Sequence, residues 1–125
     1  MIKRITEPSE MKFILLLNDD IEEYIEYDRS SWIQWLVSNV KNPLFGIFGD
    51  EENKSYIVAL CIKSSPLFNC VQIIYSYNQF DGLLEKVKEW TKELNLTKIL
   101  CSFDNLNEGE KNGFIVKNYL MELEV

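Results

Sequence analysis

The sequence contains no histidine. Its absence removes the side chain that titrates nearest neutrality and serves most often as a general base. A Ser-His-Asp or Cys-His site is excluded with it. Any proton transfer must fall to Glu, Asp, Tyr, Cys or Lys, or catalysis must rest on positioning alone. Cysteine is scarce as well. Cys61, Cys70 and Cys101 are an odd number, and no CxxC spacing occurs. That is neither a disulfide framework nor a zinc-binding pattern, so no metal is expected. All three lie in apolar, strand-like segments and read as small buried hydrophobes. The alternative, a reactive thiol, lacks a neighbouring cation or helix start that would lower its pKa.

Positive charge is also in deficit. Thirteen Lys and Arg against twenty Asp and Glu leave a net charge of −7. That balance disfavours attachment to nucleic acid or to an anionic membrane. Solubility is the plain reading of it, and a basic protein partner the sharper one. No apolar run approaches the ~18 residues of a membrane span. The opening "MIKRITEPSE" lacks the apolar core of a signal peptide. The expectation is a cytoplasmic chain without a nucleic-acid or membrane partner. With 125 residues, 46% of them hydrophobic, the sequence fits a single domain over 1–125. A domain of this size buries about two-thirds of its unfolded surface.

What is present reads as alternating strands and helices. "IKRIT" over 2–6 suggests a short first strand. Pro8, Glu7 and Glu10 suit the start of a helix, and Met11, Ile14, Leu15 and Leu17 give it an apolar face over about 9–17. Six carboxylates follow between Asp19 and Asp28. They read either as a solvated face or as a site for a cationic substrate. In "RSSWIQWLVSNVKNP", Trp32, Leu36 and Val40 recur every four residues, Ser30 or Ser31 can cap, and Asn42-Pro43 stops the helix. Trp32 and Trp35 fit core and rim better than a ligand platform.

Three strands come next, 44–49, 55–63 and 68–77, joined by short polar turns that favour antiparallel hairpins. The second is apolar at nearly every position and reads as buried on both faces. "NQFDGLLEKVKEWTKELNL" is the strongest helix: Leu83, Leu84, Val87, Trp90, Thr91 and Leu94 share one stripe. Asn78 or Asp81 can cap it, and Asn95 can close it in the left-handed conformation. "TKILCSF" is a strand, 104–113 a turn or short helix, and "FIVKNYLMELEV" a last strand. The order β-α-α-β-β-β-α-β-(α)-β predicts an α/β fold. It is a single mixed, mainly antiparallel sheet with helices on both faces, the fourth and fifth strands being parallel neighbours.

That order resembles the GNAT superfamily of acyl-CoA N-acyltransferases. "GEKNGF" over 109–114 stands where the family often carries a "YEKxGF" motif, and "LLEKVKEWTKELNLTKILCSF" is similar to its long helix and following strand. The resemblance covers nearly the whole chain in element order and about 82–121 at residue level. It implies that acetyl-CoA lies in a split between the fourth and fifth strands, with its pyrophosphate on the N-terminus of the next helix. It further implies donor-binding roles for Ile74, Tyr75, Ser76, Gln79 and Gly82, the last two read as a Gln-x-x-Gly loop. Glu23, Tyr75 and Tyr119 are the catalytic candidates, with Glu22 and Glu26 beside Glu23 as alternative bases. The loop is glycine-poor, Asp81 adds negative charge to it, and no Arg or Lys lies between Lys63 and Lys86. Gly109 stands where many members of the family place an acidic tyrosine.

Two functions follow. One is an acetyltransferase-like enzyme moving an acetyl group from acetyl-CoA to an amine, with a degenerate pyrophosphate loop. The other is a non-catalytic binding or structural protein of the same fold, of the kind a phage or mobile element encodes. It would act as a homodimer or with a protein partner. A split filled by Phe80 and Tyr77 would favour the second.

Overall fold

The computed structural model describes residues 2–17, 29–66, 68–78, 80–103, 106–116, 121 and 123–125. Among them, five strands form one sheet in sequence order: β1 (Ile2–Ile5), β2 (Phe45–Asp50), β3 (Ser55–Ser65), β4 (Phe68–Tyr77) and β5 (Ile99–Cys101). The first three pairings are antiparallel, and β5 lies parallel to β4. The parallel pair is possible because the chain returns through α3 (Asp81–Glu93) rather than through a tight turn. The other helices are α1 (Lys12–Leu17), entered through a 3-10 turn at Pro8–Met11, α2 (Arg29–Asn39) and α4 (Leu106–Lys111).

The sheet separates two cores, as the period-two alternation of a strand requires. On one face Ile5, Ile47, Tyr56 and Val58 meet Phe13, Ile14, Leu36 and Val40 of the first two helical segments and the α2 exit. On the other, Phe48, Ile57, Ala59, Val71 and Ile73 meet Leu83, Leu84, Val87 and Trp90 of α3. Tyr56–Ala59 are all buried, so β3 faces a core on both sides as its continuous apolar run predicts. Helices therefore cover both faces of a mixed sheet.

Local signals are realised with small shifts. Pro8 opens the first helical turn, and Glu7 and Glu10 form a capping box. Glu10 Oε1 accepts from the Thr6 and Glu7 amides at 3.2 Å, and Lys3 Nζ sits 2.6 Å from its other oxygen. Those bonds, that to Lys3 first, hold the Glu10 carboxyl below its usual pKa. Asn95 closes α3 at φ +60°, and the Leu96 amide donates to Thr91 O at 3.0 Å. The start of α3 differs from expectation: Phe80, not Asn78 or Asp81, is the N-cap residue, and no side chain caps the helix.

The last strand, expected over 114–125, is not found in the described part of that segment. Phe114–Val116, Met121 and Leu123–Val125 belong to no ladder, and 117–120 and 122 lie outside the described residues. Two physical reasons are visible. Gly113 turns the chain at φ +87°, and Phe114 then spends its side chain on the α3-side core. Ile115, Met121 and Leu123 are 79%, 87% and 86% exposed, the opposite of a strand inserted in a sheet.

Candidate functional site

The feature that sets this sheet apart from a regular one lies in β4. The β3–β4 register runs Val58↔Tyr75, then Ala59↔Ile73, so Ile74 is an extra residue with no partner. A bulge of this kind reverses which face each later side chain takes. Before it, Val71 and Ile73 point to the α3 side. After it, Tyr75 and Tyr77 join the α1/α2 side. The β4–β5 ladder ends at the same level, at Ile73↔Cys101. Among the described residues that is the last pairing of the β4–β5 ladder. The sheet therefore opens between its two parallel strands just where β4 bulges.

The walls of this opening are aromatic. Tyr75 lies 5.3 Å from Trp32 and 5.6 Å from Tyr56, centroid to centroid, and Tyr77 stacks 6.1 Å from Tyr56. Trp32 Nε1–H donates to the Tyr56 hydroxyl at 3.4 Å. Burial pushes the Tyr56 phenol up to about 12, the Trp32 bond opposing it, so Tyr56 stays protonated at neutral pH. On the α3 side, three phenylalanines meet. Phe80 follows β4, Phe103 follows β5 and Phe114 follows α4. Their ring centroids lie 5.7 Å apart for Phe80–Phe103, 5.0 Å for Phe103–Phe114 and 6.4 Å for Phe80–Phe114. Cys101, at the end of β5, is pushed up to about 11 by burial, which leaves it no thiolate for nucleophilic work at neutral pH.

Gly109 explains part of this arrangement. It is buried in α4, and a Cβ added there would stand 3.0 Å from Phe103 Cδ2. The glycine and the Phe103 ring therefore share one volume. Any side chain at 109 would press on the Phe103 ring, and one as large as tyrosine would compete with it for space.

Four of the sequence-predicted positions lie among the described residues, three in succession on β4 and the fourth on α3, where a Cβ added at Gly82 would meet Ile2 of β1. Ile74 is the bulge itself. Tyr75 is half-buried on the α1/α2 side, Ser76 is exposed opposite Ile57, and Gly82 is in the first turn of α3. Glu22, Glu23, Glu26, Gln79 and Tyr119 lie outside the described residues. Of the two side chains expected to fill the split, Phe80 stands at its mouth against Phe103, whereas Tyr77 is turned to the other face. Sequence reasoning missed Phe103. Its signal was a glycine six residues later inside a predicted helix, where a glycine costs stability unless something must approach it.

An open groove of 570 Å³ lies at the opposite edge of the sheet, lined among others by Lys3, Ser9, Glu10, Lys12, Glu51 and Glu52. Its mixed charges largely cancel. No group of three or more His, Cys, Asp and Glu that could hold a metal ion occurs among the described residues. Nor is any described helix long and apolar enough to cross a membrane.

Comparison with solved structures matches this architecture over its full length. A predicted acetyltransferase from Clostridium acetobutylicum, solved with acetyl-CoA, superposes with a TM-score of 0.70. It is 18% identical and covers 99% of this chain and 96% of its own. The chain has the GNAT fold. A probable acetyltransferase gives a TM-score of 0.72 at 16% identity, covering 100% of this chain and 99% of its own. A Pyrococcus furiosus protein given the same kind of name gives 0.68 at 16% identity, with 100% and 99% covered. No family model matches the sequence, and no curated protein matches it. The fold is thus shared at 16–18% identity, with little sequence in common.

Proposed function

We propose that the chain is a GNAT-type acyltransferase that moves an acetyl group from acetyl-CoA to an amine. The observation that carries this reading is the opening between β4 and β5 at the Ile74 bulge. An extended arm of a ligand can add to a sheet at such a place through main-chain hydrogen bonds. A thioester carbonyl held there can be met by a backbone N–H as negative charge develops on its oxygen. The amine nitrogen attacks the carbonyl carbon, the C–S bond breaks, and the amine's proton passes to the departing thiolate. With no histidine in the sequence, hydroxyls and carboxylates are the groups left to relay that proton. Tyr75 is the described candidate nearest the bulge. Glu23 and Tyr119 are the sequence candidates to test beside it. The six carboxylates between Asp19 and Asp28 would draw a cationic amine toward the site.

The Phe103–Gly109 arrangement favours a second reading, a GNAT-fold protein that binds a donor or a protein partner without turnover. It replaces an acid with a ring. Incubation with acetyl-CoA and a panel of polyamines and amino sugars, followed by release of free thiol, separates the two. Thiol release that depends on the amine supports the enzyme. A rise in melting temperature with acetyl-CoA, without thiol release for any amine, supports the binding protein. Neither response refutes both.

A further inference from the structure

The sequence contains a single Asn-Gly step, Asn112-Gly113. Such a pair can modify itself, because the glycine nitrogen has no Cβ beside it to hinder attack on the preceding side chain. In the fold this pair closes α4. The Phe114 amide donates to Gly109 O at 3.0 Å and the Gly113 amide to Glu110 O at 3.0 Å, with Gly113 at φ +87°. That is a Schellman closure, with Asn112 in the cap position. It occupies both groups that would react. The nitrogen that would attack faces Glu110 O. The carboxamide that would be attacked is tied back, its Nδ2 donating to Glu108 O at 2.9 Å. The Asn112 amide is held as well, donating to Gly109 O at 3.1 Å.

This restraint is local. α4 has six residues, and Asn107, Glu108, Glu110 and Lys111 are exposed. Short elements with little buried surface open at far lower cost than the whole domain. Gly113 is exposed, and a Cβ there would meet nothing within 4 Å, so water reaches the step. Phe114 ties the closure to the rest of the fold, its ring lying 5.0 Å from Phe103 and 6.4 Å from Phe80.

We infer that Asn112 is a self-deamidation site, protected by the closure of α4 and released to react when that closure opens. The Gly113 nitrogen bonds to Asn112 Cγ, the Cγ–Nδ2 bond breaks, and ammonia leaves with the proton of the Gly113 amide. Water then opens the succinimide, returning a proton to the nitrogen. Attack at Cγ leaves aspartate. Attack at the main-chain carbonyl carbon leaves isoaspartate, with the chain continuing through Cγ. Either product puts a carboxylate at the C-terminal end of α4, where the helix dipole disfavours it. Isoaspartate also lengthens the main chain by a methylene, which takes the Gly113 and Phe114 amides out of register with Glu110 and Gly109. The closure then cannot re-form, and Phe114 loses its fixed place against Phe80 and Phe103.

The test is mass-spectrometric peptide mapping of the full chain, folded and in urea, incubated in mildly alkaline water enriched in heavy oxygen. Asn112 should lose ammonia and take up heavy oxygen in both, at least about tenfold more slowly when folded. Equal rates refute the protection, and no reaction at Asn112 in urea refutes the site. Phe114→Ala removes the anchor and leaves the reacting pair intact. It should raise the folded rate by about threefold or more and leave the urea rate unchanged. A folded rate that does not move refutes the role of Phe114. The isoaspartyl form, separated from the parent by its added charge, should melt at a lower temperature. An unchanged melting temperature refutes the disruption of the closure.

Discussion

Replacing Gly109 with tyrosine tests the packing argument at the mouth of the opening. The magnitude follows from three opposing effects. Gly109→Ala gains about 1 kcal/mol of helix propensity and must move Phe103 by a few tenths of an ångström, since the added Cβ would sit 3.0 Å from its ring. The net change should be within about 1 kcal/mol of zero. Gly109→Tyr is different, because the whole Phe103 ring must leave. That forfeits its contacts with Phe80 and Phe114, each worth about 0.5–1.5 kcal/mol. Residual overpacking adds about 1–3 kcal/mol. After a propensity gain of about 0.5 kcal/mol, a loss of about 1.5–5.5 kcal/mol remains. For a domain this size each kcal/mol lowers Tm by about 4 °C. Urea denaturation of the four members of a Gly109→Tyr, Phe103→Ala cycle measures the coupling. Phe103→Ala makes room, so the tyrosine should cost at least 1 kcal/mol less in that background, roughly the coupling expected of touching residues. Additive effects within about 0.5 kcal/mol would refute the claim that the two residues share one volume.

The remaining predictions concern the two cores and the titrating groups. Leu36→Ala and Leu84→Ala, one on each face of the sheet and both buried, should each cost about 2–5 kcal/mol by urea titration, and should add because separate cores absorb them. Trp32→Phe removes the indole donor to Tyr56 and should cost about 1–2 kcal/mol. In the folded protein Tyr56 titrates at about 12 and Cys101 at about 11, both above their ordinary values. The native state thus holds protons the unfolded chain has released, so stability should fall as pH rises from about 9 to 12. A urea midpoint constant over that range would refute the burial of both groups. On the acid side, Glu10 is held low chiefly by Lys3, and Asp50 by the Asn53 side chain. Their contribution is present above an ordinary carboxylate pKa of about 4 and is lost as pH falls below it. Glu10→Gln should flatten part of that decline.

Much of the fold was legible because its elements are locally consistent. The α3 stripe, the buried run of β3 and the short turns between β2, β3 and β4 each point to one arrangement. Asn95 closed α3 in the left-handed conformation because the residue tolerates it. Two features were not legible, for different reasons. The terminal segment alternates like a strand, but a strand forms only with a partner, and its described residues join no ladder. Periodicity reports a face and carries no information about the neighbour. The sequence placed Ile74, Tyr75 and Ser76 on the fourth strand and Gly82 at the helix after it, where the fold has them. The character of the site was not legible, since the meeting of Phe80, Phe103 and Phe114 depends on three loops converging at the edge of the sheet.

The bulge at Ile74 links these observations. Without it, the alternation that puts Val71 and Ile73 on the α3 side would put Tyr75 and Tyr77 there too. Those tyrosines would then compete with Phe80 for the mouth of the opening. With it, they turn to Trp32 and Tyr56, and the α1/α2 side gains an aromatic wall that continues from the core to the rim. The same extra residue marks the level at which the β4–β5 ladder ends. One backbone irregularity therefore sorts aromatic side chains to the two sides of the sheet at the level where the described β4–β5 ladder ends. Deleting Ile74 should remove the bulge and leave every later residue on its present face, because Tyr75 then follows Ile73 directly and alternates with it. Tyr75 stays opposite Val58 and against Trp32, so the tryptophan fluorescence of the folded variant should match the wild type. Inserting a second residue after Ile74 should instead send Tyr75 and Tyr77 to the α3 face and take the Tyr75 ring from Trp32. An insertion variant that folds with unchanged tryptophan fluorescence would refute the assignment of faces.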